Sequence, residues 1–144
     1  MIVFDQVQKS YQVGGRAIPA LHPTDMTIET GEVFGIVGHS GAGKSTLVRL
    51  INLLEPPTGG RILIDDENIT DYDAAELRAF RRKVGMIFQH FNLIERHTVM
   101  SNVLMGRLGH TSTLSSLFNK FAPHDREQAM DCLELVGIAD KAHV

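Results

Sequence analysis

The residues with the clearest chemical potential lie in one glycine-rich stretch, residues 38–45. Its spacing follows the pattern G-x-x-x-x-G-K-[ST], with Gly38, Gly43, Lys44 and Ser45 at the fixed positions. In this pattern small residues let successive backbone N–H groups face a chain of phosphates, and the lysine reaches the β- and γ-phosphates. The serine hydroxyl binds Mg²⁺, and the hydroxyl of Thr46 adds a phosphate contact. The stretch therefore predicts a loop that binds ATP together with Mg²⁺.

The residues between the fixed positions complete the predicted nucleotide-binding set, which adds His39, Ser40, Gly41 and Ala42. A histidine here could be taken for a general base. Variable positions of such a loop mainly shape its turn, so the catalytic role within the loop is assigned to Lys44 and not to His39. The alternative is a glycine-rich turn that caps a helix and binds nothing.

The flanking sequence supplies the elements that must hold this loop. Residues 33–37 are an apolar run of buried-strand length that ends at the loop. From Lys44 onward the apolar residues recur every three or four positions, as on one face of a helix, until Pro56 and Pro57 stop the pattern. The sequence thus predicts a strand, a loop and a helix in the order that phosphate binding requires.

The rest of the chain alternates strand and helix patterns before helices dominate. An opening hairpin is predicted by residues 2–7 and by the pair Gly14-Gly15. Further on, the sequence predicts a strand at residues 61–64, a helix at 74–83 introduced by Asp71 or Asp73, a buried strand at 84–88, and helices at 99–107 and 125–136. This order predicts an α/β fold with a helical insertion that begins near residue 90.

One acidic stretch invites a metal-site interpretation that we do not favour. Residues 62–64 are apolar and are followed by Asp65, Asp66 and Glu67, as in strands that end at a metal site. Because this stretch follows the glycine-rich loop so closely, it is interpreted as a hairpin turn between two short strands.

The composition of the chain argues against several kinds of binding partner. The chain has 144 residues, a net charge of −3 and one cysteine, and it contains no apolar run long enough to cross a membrane. We therefore expect no nucleic-acid partner, no internal disulfide and no more than a peripheral membrane role.

Four segments of the chain resemble the ATP-binding subunits of ABC transporters. They are the loop at residues 38–46, the stretch Lys9-Ser10-Tyr11, residues 55–62 and residues 85–93. The resemblance implies a P-loop core of ABC type with an amino-terminal antiparallel β subdomain (together residues 1–89), followed by the Q-loop and the start of a helical subdomain (residues 90–144). It also implies that Tyr11 stacks on adenine and that Gln89 is the family's Q-loop glutamine, which ligates Mg²⁺, orients water and signals to the membrane subunits.

The same resemblance implies an importer ATPase at the cytoplasmic face of a bacterial inner membrane. Its partners would be membrane permease subunits, a second ATPase subunit and, indirectly, a solute-binding protein. The family's Leu-Ser-Gly-Gly-Gln signature and the later acidic and histidine motifs do not occur in residues 1–144, so we expect an incomplete domain that does not hydrolyse ATP efficiently. A soluble P-loop kinase or GTPase is the alternative class, although the sequence contains no guanine-reading Asn-Lys-x-Asp.

Two importer types compete for the transported solute. Residues 1–93 resemble methionine-import ATPases, whereas residues 94–144, including 102–112 and Leu117-Phe118, resemble phosphonate-import ATPases. The change of resemblance suggests a hybrid, or an intermediate member of the group. In the family the Q-loop and early helical region receive a helix of the membrane subunit, so docking could follow one type and nucleotide chemistry the other.

Overall fold

A long β-hairpin opens the chain in the computed structural model, which describes residues 1–90, 92–111 and 121–144. The described residues divide into two units, Met1–Val84 and Gly85–Val144. The predicted boundary between residues 89 and 90 stays a prediction. The stretch with Leu117-Phe118 lies outside the described residues.

The first unit is built on a four-stranded antiparallel sheet in the order β2-β1-β3-β4. Its strands are β1 (Ile2–Val13), β2 (Arg16–Ile28), β3 (Gly59–Ile64) and β4 (Glu67–Asn68). Gly14 and Gly15 turn β1 into β2 with φ of 56° and 78°, the left-handed conformation that a tight hairpin turn needs. The predicted antiparallel β subdomain is thereby confirmed.

The acidic stretch forms a hairpin turn between two short strands, as predicted, with Asp65 and Asp66 in the turn and Glu67 at the start of β4. Asp65 and Asp66 have φ of 49° and 68° and connect β3 to β4. The Asp65 carboxylate accepts a hydrogen bond from the Met1 amino group at 2.6 Å, which ties the turn to the start of β1. Positive φ at two adjacent positions suits Asp, which tolerates this conformation better than most residues.

Two helices pack in the first unit, α1 (Lys44–Ile51) and α2 (Ala74–Arg81), and a short 3-10 turn covers Ile69–Asp71. The start of α2 is fixed by a capping box in which the Asp73 carboxylate accepts from the N–H of Glu76, and the Glu76 carboxylate accepts from the N–H of Asp73. Between Asp71 and Asp73, the structure therefore selects Asp73.

The core of the first unit joins the sheet to the helices. The buried apolar side chains come from β1, α1, β3, α2 and the segments that follow α1 and β4; they are Phe4, Val7, Leu47, Leu50, Leu53, Ile62, Ile69 and Phe80. Helix α1 thus lies against the sheet through the apolar positions whose spacing predicted it, although it ends at Ile51, before the prolines at 56 and 57 that were expected to stop it.

The strand predictions for residues 33–37 and 84–88 are wrong. Both runs lack strand structure, and Val33 and Ile87 are 99% and 100% exposed. A buried parallel strand needs a neighbour that receives its backbone hydrogen bonds, and no strand in the described part of the chain pairs with either run. The apolar pattern indicates that a segment is suited to burial. Whether the segment forms a strand depends on a neighbouring strand from another part of the sequence.

The second unit is helical. Its helices are α3 (Val99–Met105) and α4 (Pro123–Leu135), with 3-10 turns at Leu108–His110 and Ala139–Lys141. Thr98 caps α3, and Gly137, with φ of 73°, follows the end of α4. Both predicted helices are confirmed, with ends that differ by one or two residues. Their buried side chains are Met100, Leu104, Ala129, Leu133 and Ala142.

A partly buried ion pair ties the chain beyond α3 to the first turn of α4. The Arg107 Nε donates to Asp125 Oδ1 at 2.6 Å, and Asp125 is 5% exposed. The hydrogen bond from Arg107 lowers the pKa of the Asp125 carboxyl, while desolvation opposes that shift. Because the folded pKa is lowered, the stability that Asp125 contributes is present above its unfolded pKa and is lost as pH falls through the folded pKa.

None of the described helices is both long enough and apolar enough to span a membrane.

Replacement of Arg107 by Gln should raise the pKa of Asp125, because it removes the hydrogen bond that lowers this pKa and leaves the desolvation. The pKa can be read from an NMR titration of the carboxyl carbon in both proteins. Arg126→Gln is the matched control, since Arg126 is exposed, adjoins Asp125 in sequence and is absent from the groups that shift its pKa. An unchanged Asp125 pKa in Arg107→Gln would show that the ion pair does not set it.

Candidate functional site

The glycine-rich loop curls around its own lysine. The Lys44 ammonium donates to the backbone carbonyl of Gly38 at 2.7 Å and to that of His39 at 2.8 Å. The Ala42 N–H also donates to the His39 carbonyl, at 3.2 Å, so His39 shapes the loop through its backbone. Two of the three ammonium N–H bonds are used in these contacts, which leaves one for an acceptor such as a phosphate oxygen.

Glycine is required at the end of the loop by both conformation and space. Gly43 precedes α1 with φ of 83°, and a Cβ added there would lie 2.5 Å from the backbone oxygen of Ala20 in β2. Gly41 has φ of 81° but has nothing within 4 Å of an added Cβ. The backbone of β2 therefore sets the position of the loop, and only Gly43 permits that approach.

The first turn of α1 presents the groups that an anion would meet. Ser45 and Thr46 lie in this turn, where the helix provides no acceptor for the first N–H groups. No acidic residue occupies the turn, and the Ser45 side chain is exposed. The positive end of a helix and its unpaired N–H groups favour the binding of phosphate, so the site is suited to a nucleoside triphosphate.

Tyr11 lies on the hairpin that meets the loop. It pairs with Ile18, and Ile18 stands two residues before Ala20, the point of closest approach to Gly43. Two residues of strand span about 7 Å. The structure thus brings the predicted adenine-stacking residue and the predicted phosphate loop to one region of the first unit, while the role of Tyr11 stays a prediction.

Gln89 belongs to the second unit, where it is exposed and lies outside any helix or strand. Its predicted catalytic and metal-binding roles stay predictions.

The described residues contain no group of three or more His, Cys, Asp and Glu side chains that could hold a metal ion by themselves. Mg²⁺ in nucleotide sites is usually held by few protein ligands together with waters and phosphate oxygens. An exposed Ser45 hydroxyl in the first turn of α1 fits that kind of binding.

Two residues of this region escaped the sequence analysis. Ala20 contacts the loop through its backbone carbonyl, for which its side chain gives no signal. Lys9 is buried within β1, although lysine in a strand normally indicates an exposed position. Its place before Ser10 and Tyr11 was the only hint of a role near the site.

The chain resembles known ATP-binding proteins along most of its length. A family profile described as ABC transporter matches residues 21–144. Methionine import ATP-binding protein MetN 1 of Pseudomonas fluorescens is 53% identical over 142 residues, which are 99% of this chain and 40% of that protein. This likeness continues past residue 93. The resemblance of residues 94–144 to phosphonate-import ATPases stays a prediction.

Solved structures show the same relationship. The dimeric structure of a bacterial ABC transporter cassette is 34% identical, has a TM-score of 0.79 and covers 99% of this chain, which in turn covers 60% of that cassette. A dimeric post-hydrolysis state of the same cassette, bound to ADP and Pi, is 35% identical, with a TM-score of 0.75 over 94% of this chain and 56% of the cassette. The predicted fold class, an incomplete α/β domain of ABC type, is confirmed, and the chain belongs to the ABC transporter family.

Proposed function

We propose that this chain is the nucleotide-binding part of an ABC importer ATPase, with methionine as the favoured solute. The observation that carries the proposal is the loop of residues 38–43, which closes on the Lys44 ammonium and is seated on β2 at Gly43. The name of the Pseudomonas fluorescens relative supports methionine. Phosphonate is the alternative solute, supported by the resemblance of residues 94–144. The family assignment argues against a soluble kinase or GTPase.

Different residues would bind different parts of ATP. The backbone N–H groups of the loop and of the first turn of α1 would bind the phosphates, and the Lys44 ammonium would donate its remaining N–H toward the β- and γ-phosphates. Tyr11 would stack on adenine. Mg²⁺, when bound, neutralises phosphate charge, and we assign its protein ligands to Ser45 and Gln89.

The whole protein would act with partners. The chain spans 40% of the length of the methionine-import relative, so hydrolysis and transport belong to a longer protein in this proposal. Residues 1–144 alone would bind ATP but turn it over slowly, because hydrolysis also needs a carboxylate that positions the attacking water. We propose a second ATPase subunit as partner in an ATP-closed dimer, in keeping with the dimeric cassette among the solved relatives.

An apolar cavity in the second unit supports a membrane partner. It is open to solvent, has a volume of about 670 Å³ and is lined mainly by apolar side chains, among them Leu93, Val99, Val103 and Leu133. In this proposal the cavity receives a helix of the permease, and the ATPase is held at the cytoplasmic face of the inner membrane by that contact. A solute-binding protein would act on the permease and only indirectly on this chain.

Replacement of Lys44 by Ala should weaken binding of Mg-ATP about 10- to 100-fold, because charge-assisted hydrogen bonds to phosphate are lost. Titration calorimetry measures the affinity, after circular dichroism has shown that each protein is folded. Lys83→Ala, which removes a lysine beyond the end of α2, should bind ATP like the unchanged chain. Absence of ATP binding by the folded, unsubstituted chain would refute the proposed function.

Replacement of Gly43 by Ala should reduce ATP affinity more than tenfold. A residue with a Cβ in the left-handed conformation of Gly43 is destabilised by about 1–2 kcal/mol, and the added Cβ would also clash with the Ala20 carbonyl. The same calorimetry checks this. Gly35→Ala is the matched control, since an added Cβ there has nothing within 4 Å and its φ lies outside the left-handed region. Equal ATP affinities for the two variants would show that the contact of Gly43 with β2 does not determine the position of the loop.

A further inference from the structure

Lys9 has an unusual environment for a lysine in a strand. It is 7% exposed, and its ammonium donates to the Pro56 carbonyl at 2.6 Å. The carboxylate of Glu55 lies 3.4 Å from the same ammonium. The ammonium also lies 5.2 Å from the centroid of the Tyr11 ring.

These three contacts are what a buried ammonium requires. Removing a charge from water is costly unless hydrogen bonds and opposite charge replace the lost hydration. The Pro56 carbonyl and the Glu55 carboxylate supply both, and the electron-rich face of Tyr11 adds a cation–π contact that strengthens as the cation is desolvated. Because burial restricts the ammonium, the ring that it contacts is restricted as well.

The partners of Lys9 belong to the segment that leaves α1. The N–H groups of Leu54 and Glu55 donate to the Arg49 carbonyl of α1 at 3.0 and 3.4 Å, which fixes the start of the segment. Its far end is fixed to β1, where the Thr58 N–H donates to the Gln8 carbonyl at 2.9 Å and the Thr58 hydroxyl accepts from the Ser10 N–H at 3.1 Å. The segment therefore holds Lys9 at a defined distance from α1, the helix that directly follows the phosphate loop.

The backbone of the hairpin is irregular at the same place. Lys9 pairs with Leu21 and Ser10 pairs with Pro19, so Ala20 falls at the register shift between the two pairs. Ala20 is also the residue whose carbonyl meets Gly43. Such irregularities re-aim side chains and are common beside functional sites.

We propose that Lys9 is a positioning residue for the base of the nucleotide, an inference that rests on the proposed function. Its ammonium holds one face of the Tyr11 ring and ties the ring to the end of α1, so that the other face is presented to a purine at a set distance from the phosphate loop. Lys9 itself does not touch the nucleotide. It therefore affects ligands that carry a base and leaves ligands that carry only phosphates unaffected.

The test compares two ligands, Mg-ATP and Mg-tripolyphosphate, by calorimetry on the full chain. Lys9→Gln removes the charge but keeps a donor for the Pro56 carbonyl, and Lys9→Arg restores a cation. We expect Lys9→Gln to weaken ATP on the order of fivefold, as one cation–π contact would, with tripolyphosphate unchanged and with affinity largely recovered in Lys9→Arg. In a Tyr11→Ala background, Lys9→Gln should cause no further loss of ATP affinity.

A second readout needs no nucleotide. The chain has two tyrosines and no tryptophan, so Tyr72→Phe leaves Tyr11 as the only strong intrinsic fluorophore. The fluorescence anisotropy decay of Tyr11 should show faster ring motion when Lys9→Gln is added to Tyr72→Phe.

The outcomes separate this inference from the function on which it rests. If the folded chain binds tripolyphosphate and ATP equally and Tyr11→Ala has no effect, base recognition fails and the inference fails with it, although the phosphate loop stands. If ATP affinity depends on Tyr11 but not on Lys9, the proposed function stands and the inference is overturned. Equal losses of both ligands in Lys9→Gln, or a Lys9→Gln chain that does not fold, would show that Lys9 serves the fold and would also overturn it.

Discussion

The contact between the phosphate loop and β2 determines the rest of the site. Gly43 is in a left-handed conformation and approaches the Ala20 carbonyl so closely that no side chain fits between them. This approach fixes the start of α1 relative to the hairpin, and α1 in turn packs on the sheet through Leu47 and Leu50. The Gly43 end of the loop is therefore supported by both β2 and α1, as a preorganised phosphate site requires.

The parts of the fold that local chemistry determines were predictable from the sequence. The Gly14-Gly15 turn, the Asp65-Asp66 turn and the Asp73 cap each depend on residues a few positions apart. The runs at 33–37 and 84–88 were mispredicted as strands because a parallel strand depends on a partner that its own sequence does not specify. Hydrophobic periodicity measures the tendency of a segment to be buried and says nothing of what covers it.

The same distinction divides the candidate site. The loop from Gly38 to Thr46 was recognisable because its glycines, lysine and hydroxyls follow one another in the sequence. The environment of Lys9 was not, since its partners Glu55 and Pro56 lie far along the chain and meet it only after the sheet has formed. Strand β1 is paired on both sides, with β2 and with β3, so it can relate the base end of the site to the phosphate end.

The contact at Gly43 also has an evolutionary consequence. Since Ala20 takes part through its carbonyl alone, any residue that suits a strand can occupy position 20 and preserve the contact, whereas position 43 accepts only glycine. Among related sequences one partner should be invariant and the other free to drift, so the two positions will carry no correlated substitutions. Methods that infer contacts from covariation are therefore expected to miss the contact on which this nucleotide site depends.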